Sequence, residues 1–220
     1  MRIRITTTPN TCPVQFNYQH KLVGTLYKWI GRSDMHDDIS LYSFSWLQGG
    51  RRVKDGLSFN NGARLFLSFY DDIVVKQIIA SILNAPDMFC GMKVVDISLV
   101  NNPDFTDCDY FLCASPIFIK RTLEDGRTRQ YDFNDAESSV LMQQTLTAKM
   151  LKAGLEPDDT LKIQFDRSYA KKKTKLVHYR DIGNKASLCP VIIKGKPETK
   201  LFAWTVGIGN CTGIGFGAIY

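Results

Sequence analysis

The order of predicted secondary-structure elements in the first hundred residues is the feature that most constrains the fold. Alternating apolar and polar residues predict strands, and apolar residues at helical spacing predict helices. Strands are predicted over residues 2–8, 41–47, 56–70 and 92–100, with a turn at 60–62, and helices over 17–31 and 73–83. This β-α-β-β-α-β order is that of the ferredoxin-like unit.

The same order begins again after a polar stretch at 101–109, N-N-P-D-F-T-D-C-D. The predicted elements are strands over 110–120, 161–165, 175–179 and 188–194, a hairpin over 121–131, helices over 137–153 and 199–206, and a final strand. We therefore predict an α+β protein with two tandem ferredoxin-like (RRM-like) domains, residues 1–105 and 106–220. Antiparallel sheets with helices on one face leave the other face free to bind a partner.

Charge and composition narrow the classes of partner. The chain has a net charge of +6 and a pI near 9.0, which favours a polyanionic partner without proving one. Its 44% apolar and 23% charged residues are ordinary for a globular protein. No apolar run is long enough to span a bilayer, and the opening M-R-I-R-I-T-T-T-P-N lacks the apolar core of a signal peptide. A cytoplasmic location is therefore expected.

The residues that usually bind metals or nucleotides follow no recognisable pattern. The six cysteines form no C-x-x-C pair, so they are predicted to be buried free thiols rather than zinc ligands. Paired acids at 71–72 and 158–159 fall at a helix start or turn, unlike a two-metal nuclease site. The glycines near the chain end precede a strand, which disfavours the nucleotide fingerprint of a small-molecule enzyme. No metal or cofactor is expected.

A glycine-rich segment near the chain end combines five glycines with apolar residues. The glycines are Gly207, Gly209, Gly213, Gly215 and Gly217. Glycine accepts positive φ, and successive glycines leave backbone N–H groups open to a phosphate. A flexible tail or a bulged strand edge is the alternative. Apolar residues at 206–219 are spaced to pack inward, which favours an ordered loop and strand.

Several stretches resemble one protein family. The pattern G-I-G-N-C-T-G-I-G-F-G at 207–217 is similar to the C-terminal signature of the CRISPR repeat-processing endoribonucleases of the RAMP superfamily. The segments Y-K-W-I-G-R-S-D-M-H-D-D and L-Y-S-F-S-W resemble the helix, loop and strand around that family's catalytic histidine, and S-P-I at 115–117 is also family-like. The resemblance implies CRISPR repeat RNA as a partner, with other subunits of a CRISPR effector complex as further candidates.

The resemblance also implies an activity. It is that of a metal-independent endoribonuclease that cleaves within the repeats of precursor CRISPR RNA to give mature guide RNAs. A 2′-OH would attack the adjacent phosphate and leave a 2′,3′-cyclic phosphate and a 5′-OH. His36, in a polar turn, would act as general acid or base, and a solvated loop histidine is the alternative. Related RAMP proteins bind guide RNA without cutting it, so a non-catalytic RNA-binding subunit is the second hypothesis.

This sequence matches one further element of that active site and lacks another. Tyr27 matches a tyrosine found in some family members and would orient the 2′-OH or the scissile phosphate. A half-buried helix aromatic is an equally weighted alternative. The lysine that follows the histidine in the family has no clear counterpart. Nearby cations that could replace it are Lys28, Arg32, Arg51, Arg52 and Lys54.

A dense run of positive charge lies at 167–175. Its candidate RNA-binding residues are Arg167, Lys171, Lys172, Lys173 and Lys175. A solvated hairpin tip is the usual role of such a run, whereas the glycine-rich segment favours contacts with an RNA backbone. His20 is expected to be partly buried or to contact the helix end. His178 is expected at an ordinary strand position. The alternative is that it stacks on a base or contacts a phosphate.

Overall fold

The computed structural model describes residues 1–31, 39–179 and 182–220. Its helices are α1 (Gln19–Ile30), α2 (Asp72–Asn84), α3 (Ser138–Lys152) and α4 (Pro197–Val206). Its strands are β1 (Arg2–Thr7), β2 (Tyr42–Phe44), β3 (Arg51–Val53), β4 (Gly56–Ser58), β5 (Arg64–Phe69), β6 (Val94–Val100), β7 (Tyr110–Phe111), β8 (Ile117–Thr122), β9 (Thr128–Tyr131), β10 (Lys162–Phe165), β11 (Lys173–Tyr179), β12 (Ile182–Leu188) and β13 (Val191–Lys194). None of the described helices is both long enough and apolar enough to cross a membrane.

The N-terminal half forms a four-stranded antiparallel sheet of order β2-β5-β1-β6. Strand β1 is central, and its Ile3 lies opposite Leu67 of β5 and Leu99 of β6. The two strands on either side of β1 are the third and fourth of this sheet in chain order, which is the ferredoxin-like arrangement. The hairpin of β3 and β4 lies outside the sheet.

Helices α1 and α2 contribute to the core of this unit because their apolar residues recur at helical spacing. Leu22, Leu26 and Trp29 of α1 are buried in one cluster with Ile3 and Ile5 of β1. The buried side of α2 belongs to the same cluster. Because burying a leucine side chain stabilises the fold by about 1.5–3 kcal/mol, these contacts fix α1 firmly on the sheet.

The C-terminal half builds a second sheet with the same order. Strands β10, β13 and β7 are antiparallel neighbours in that order. The chain end completes the sheet: Leu112 and Tyr220 exchange backbone hydrogen bonds of 2.9 and 3.0 Å, and Ile219 lies opposite Cys113. Helices α3 and α4 pack into its core. The predicted α+β fold, with two tandem ferredoxin-like units and a C-terminal glycine-rich loop, is therefore confirmed.

Two hairpins inserted into the second unit pair with each other as a separate sheet of order β11-β12-β8-β9. The sequence does not predict β12, because Gly183 and Asn184 near its start are typical of a turn. The strand predicted over 110–120 is divided in the structure. Strand β7 ends at Phe111, and β8 begins after Pro116, which has no N–H to donate to a ladder.

The buried side chain of Arg2 joins the two units. Its guanidinium carbon lies 3.8 Å from the ring centroid of Phe66 and 3.4 Å from that of Trp204. Arg2 donates hydrogen bonds to Ser68 Oγ (2.5 Å) and to the carbonyl oxygens of Trp204 (2.6 Å) and Ile219 (3.0 Å). Strand β1 is thereby tied to the end of α4 and to the chain end at Ile219.

The division of the chain between residues 105 and 106 stays a prediction. Phe105 precedes this division, yet its ring packs in the core of the second unit. Its centroid lies 5.0 Å from that of Phe111 and 6.1 Å from that of Trp204. Residues close to the predicted boundary thus contribute to the C-terminal core.

The cysteines are free thiols in the structure. Cys189 is buried, and four others are partly buried. The prediction of burial is wrong for Cys12, which is exposed because it lies in the connection between β1 and α1 rather than in an element that faces a core.

Candidate nucleic-acid interface

The glycine-rich segment, residues 207–217, follows α4 directly and turns back towards the chain end. The Ile208 N–H donates to the Gly217 carbonyl, and the Gly217 N–H donates to the Pro116 carbonyl, both at 2.8 Å. Gly217 has a φ of +69°, and a Cβ at this position would lie 1.9 Å from the Ile208 oxygen. Glycine is therefore required there. The predicted inward packing is confirmed for residues such as Ile208 and Phe216, which are fully buried.

Side chains from the N-terminal half hold the carbonyl groups of this region. Among the described residues, the donors are Gln19 Nε2 to the oxygen of Ile214 (2.6 Å), Tyr42 Oη to that of Gly213 (3.2 Å), Ser43 Oγ to that of Thr205 (2.8 Å) and Trp46 Nε1 to that of Gly215 (2.9 Å). Three of the donors lie on β2 or just after it. The shape of the glycine-rich segment therefore depends on the other half of the chain.

The N–H groups of the five glycines differ in whether a described residue accepts a hydrogen bond from them. The N–H groups of Gly207, Gly215 and Gly217 donate to carbonyl oxygens of the protein. For the N–H groups of Gly209 and Gly213, no acceptor is found within residues 1–31, 39–179 and 182–220. The hypothesis of backbone contacts to phosphate thus rests on these two positions.

Gly209 and Gly213 line a cavity of about 410 Å³, named the loop cavity here. Its lining also includes the polar residues Tyr27 and Ser40 from the N-terminal half and Lys120, Lys149 and Asn210 from the C-terminal half. The structure thus brings Tyr27 and two of the predicted glycines to one cavity between the units.

A neighbouring tyrosine supports Tyr27 at the loop cavity. The Tyr42 hydroxyl lies beside the side chains of Tyr27 and Ser40. Burial raises the pKa of Tyr42, and the adjacent Tyr27 hydroxyl raises it further. Tyr42 therefore remains neutral at physiological pH, and its hydroxyl lies between α1 and the glycine-rich segment.

Lys149 is buried beneath the glycine-rich segment. Its side-chain nitrogen donates to the carbonyl oxygens of Val206 (3.1 Å) and Gly207 (3.0 Å) and to Thr212 Oγ1 (3.2 Å). Burial lowers the pKa of Lys149 to about 7. Sequence reasoning missed this residue, although a signal exists: Lys149 shares the buried face of α3 with Leu146, and a lysine at such a position is unusual.

A second lysine that sequence reasoning missed, Lys120, lines the loop cavity from β8. Its side chain is exposed, and its backbone N–H donates to Asn210 Oδ1 at 2.8 Å. Burial raises the pKa of the Cys211 thiol, whereas the charges of Lys120 and Lys149 lower it. The exposed Lys120 ammonium therefore brings positive charge to the loop cavity, and Lys149 adds to this charge when it is protonated.

The described cations among those proposed in place of the family's lysine do not line this cavity. Lys28 donates a hydrogen bond to the carbonyl oxygen of Asp87. Arg32 lies outside the described residues, as does His36. Within the described part of the chain, the lining of the loop cavity does not include Lys28, Arg51, Arg52 or Lys54.

The basic cluster at 167–175 is divided in the structure. The Lys175 ammonium lies 4.3 Å from the ring centroid of Trp46, which itself contacts the glycine-rich segment. Arg167 instead donates to the carbonyl oxygen of Asp135 at 3.1 Å, and residues 171–173 lie where the chain enters β11. Of the predicted RNA-binding cations, Lys175 is thus the one joined to the glycine-rich segment through a described side chain.

The two histidines in the described part of the chain line a second cavity, of about 480 Å³, which Tyr27 also lines. His20 Nδ1 lies 2.9 Å from the carbonyl oxygen of Asn17, in agreement with the expected contact at the helix start. Among the described residues, no group of three or more His, Cys, Asp or Glu side chains is placed to hold a metal ion.

Solved structures share this fold over nearly their whole length. A CRISPR associated protein Cas6 has a TM-score of 0.84 at 20% identity, covering 100% of this chain and 98% of its own. The product of a Cas6-related gene from Pyrococcus furiosus has a TM-score of 0.87 at 19% identity, covering 100% and 97%. A RAMP protein binding different RNA substrates has a TM-score of 0.87 at 18% identity, covering 100% and 98%. Because the identities are only 18–20%, the similarity to these structures is evidence for the shared fold alone.

The sequence itself identifies the family. Comparison with curated proteins gives no match. The family described as CRISPR associated protein Cas6, C-terminal, matches residues 100–220, which is more than half of the chain and includes the glycine-rich segment. The chain therefore belongs to the Cas6 family of CRISPR-associated proteins.

Proposed function

We propose that this protein is a metal-independent endoribonuclease that cleaves within the repeats of precursor CRISPR RNA. Membership of the Cas6 family gives it a CRISPR-associated RNA-processing role. The proposed reaction is attack of a ribose 2′-OH on the adjacent phosphate. The P–O bond to the 5′ oxygen breaks, leaving a 2′,3′-cyclic phosphate on one fragment and a 5′-OH on the other.

The loop cavity is the observation that carries this proposal. It combines the Tyr27 side chain, the Lys120 ammonium, the Lys149 amine, which is positively charged below about pH 7, and the backbone of Gly209 and Gly213. In the transition state of this reaction, negative charge develops on the phosphate oxygens. Prearranged N–H donors and cations stabilise such charge most effectively where water is limited. The cavity therefore offers positive charge and N–H groups where a scissile phosphate would need them.

His36 is proposed as the general acid or base. It lies outside the described residues, but Ile39, which follows it by three positions, lines the loop cavity. Because three residues span at most about 11 Å, the covalent chain is compatible with an imidazole near that cavity. A positioned acid or base contributes about 10²–10⁴ in rate. Tyr27 would then orient the 2′-OH or the phosphate.

The proposed partner is the CRISPR repeat RNA, held by its phosphates and by the repeat sequence. The net charge of +6 supports a polyanion, and the solved relatives include one described as a Cas6 product complex. The proposed binding residues are Gly209, Gly213 and Lys175, followed by the remaining predicted glycines and basic residues. Association with other subunits of a CRISPR effector complex is also proposed.

A cleavage assay in excess chelator tests the function. Purified protein and repeat RNA should give two fragments with the expected end groups, and His36→Ala should lower the rate by about 10²–10⁴ while leaving RNA affinity unchanged. A matched RNA with one deoxyribose 5′ of the cut should bind equally well and stay intact. RNA that is bound by the unmodified protein but never cut would replace the enzyme with the non-catalytic RNA-binding subunit.

A further inference from the structure

A groove runs between α1 and the inserted hairpin of β11 and β12, outside the loop cavity. Its central part is the 480 Å³ cavity introduced above, named the helix–hairpin cavity here, whose lining includes Asn17, His20, Gly24, Tyr27 and His178. The ring of Tyr27 lines both this cavity and the loop cavity. A chain that leaves the loop cavity past Tyr27 would therefore enter the helix–hairpin cavity next.

Gly24 has no role that the packing of the protein explains. It lies in the middle of α1, is exposed, and costs about 1 kcal/mol relative to alanine in a helix interior. Its φ is not positive, and a Cβ built on it meets no atom within 4 Å. Any side chain there would occupy the helix–hairpin cavity. A glycine at this position keeps that cavity open.

The two histidines supply the cavity with rings and hydrogen-bonding groups. His20 Nδ1 faces the Asn17 carbonyl oxygen at 2.9 Å, so Nδ1–H donates there and Nε2 is left for another partner. His178 is exposed on β11. Its Nε2 lies 3.7 Å from the position that a Cβ atom would take if Gly183 of β12 carried a side chain. Imidazole and phenol rings are surfaces on which an unstacked base packs.

Charge along the groove favours a nucleic acid. Beyond His178 and Asn17, the groove continues into a cavity of about 500 Å³, which the side chains of Lys175, Arg52 and Phe16 also line. Within the described part of the chain, no aspartate or glutamate lines any of the three cavities. Cations that alternate with aromatic rings are typical of grooves that bind single-stranded nucleic acids.

We propose that the helix–hairpin cavity binds one unpaired nucleotide of the RNA, adjacent to the nucleotide in the loop cavity. The base packs between α1 at Gly24 and the ring of His178, and His20 Nε2 contacts the ribose or phosphate. This inference depends on the proposed function in taking RNA as the ligand, but it does not require that the RNA be cleaved.

An abasic scan of the repeat RNA tests the proposal. Each RNA carries one deoxyribose 5′ of the cut, to prevent cleavage, and lacks one base. Loss of the base that occupies the cavity should weaken binding by the unmodified protein about tenfold, the usual scale of one stacked base. Gly24→Gln, which fills the cavity with a good helix former, should bind the complete RNA about tenfold more weakly and show no further loss at that position.

The controls keep fold and function separate. Gly24→Gln should be at least as stable to urea as the unmodified protein, because glutamine is a better helix former than glycine. Ala80→Gln, an equivalent change on the exposed side of α2, should give the abasic profile of the unmodified protein. In His178→Ala, removal of the same base as in Gly24→Gln should cause no further loss of RNA affinity.

Identical abasic profiles for Gly24→Gln and the unmodified protein would overturn the subsite. So would a Gly24→Gln variant that binds RNA normally but fails to join a protein complex, since the groove would then hold a protein partner. A different result is that the repeat RNA stays uncut while the unmodified protein still loses affinity at one abasic position and Gly24→Gln does not. That result would contradict only the proposed enzyme activity and leave the subsite standing.

Discussion

The hydroxyl of Tyr42 donates a 3.2 Å hydrogen bond to the carbonyl oxygen of Gly213, although 171 residues separate the two in the chain. The same hydroxyl lies beside the side chain of Tyr27 on α1. One phenol thus lies between the helix that carries Tyr27 and the glycine-rich segment, and Tyr27 and Gly213 both line the loop cavity. The geometry of the candidate site therefore depends on a residue that does not itself line the described cavity.

Removing this hydroxyl should loosen the site without removing any lining side chain. Tyr42→Phe keeps the stacked contact with Phe69, whose ring centroid lies 4.9 Å away, but leaves the Gly213 carbonyl without its donor. We expect a loss of about 1 kcal/mol in the free energy of unfolding and slower cleavage under single-turnover conditions. Tyr70→Phe, at a half-exposed tyrosine, is the matched control. Equal cleavage rates for the two variants would contradict this linkage.

A methyl group at Gly213 should disturb the same contact. A Cβ there would lie 2.3 Å from Ser40 Oγ and 2.8 Å from the Tyr42 hydroxyl. Gly213→Ala should therefore lower stability by about 1–3 kcal/mol, the range for overpacking. The Ser40→Ala change removes the nearer atom, so the double variant should be more stable than the sum of the two single changes. Additive losses in urea unfolding would show that the clash is relieved elsewhere.

The burial of Lys149 predicts a particular pH dependence. Its pKa is about 7 in the folded protein and 10.5 when unburied, so between these values the unfolded chain binds the proton more strongly. The free energy of unfolding should then rise with pH from about 7, by at most about 1.4 kcal/mol per pH unit. Below about pH 7 both states are protonated, and this contribution is constant.

Lys149→Met isolates this contribution because it keeps the aliphatic stem and removes the titrating nitrogen. Urea unfolding between about pH 6 and pH 9 should give a smaller rise for the variant than for the unmodified protein. Parallel curves would mean that the three acceptors of Lys149 keep the ammonium charged in the folded state.

Arg2 should be essential for the attachment of β1 to the end of the chain. In Arg2→Met, the carbonyl groups of Trp204 and Ile219 lose their buried donor. Each unsatisfied buried group costs about 1–3 kcal/mol, so a loss of at least about 2 kcal/mol is expected in thermal or urea unfolding. Arg4→Met, two residues further along the same strand and exposed, should change stability by less than about 0.5 kcal/mol. Similar losses would contradict the role given to Arg2.

Local patterns predicted most of the secondary structure because each element carries its own periodicity. Residues of α1 recur at helical spacing and are buried as predicted, among them Leu22 and Trp29. Two strands were exceptions: β3, which was not predicted, and β12, whose polar residues with Gly183 match no strand pattern. Pairing with β11 and β8 stabilises β12 in the tertiary structure.

The sequence alone determined the repeated element order, the inward packing of the glycine-rich segment and the family resemblance. All three depend on residues that are close together in the chain. The tertiary structure alone decided that Tyr42 holds Gly213, that Lys149 lies beneath the segment and that His20 and His178 line one cavity. These contacts join elements far apart in sequence, and strand register and helix docking set them. Short-range periodicity carries no information about either, so the chemistry of the site emerges only when the two halves pack together.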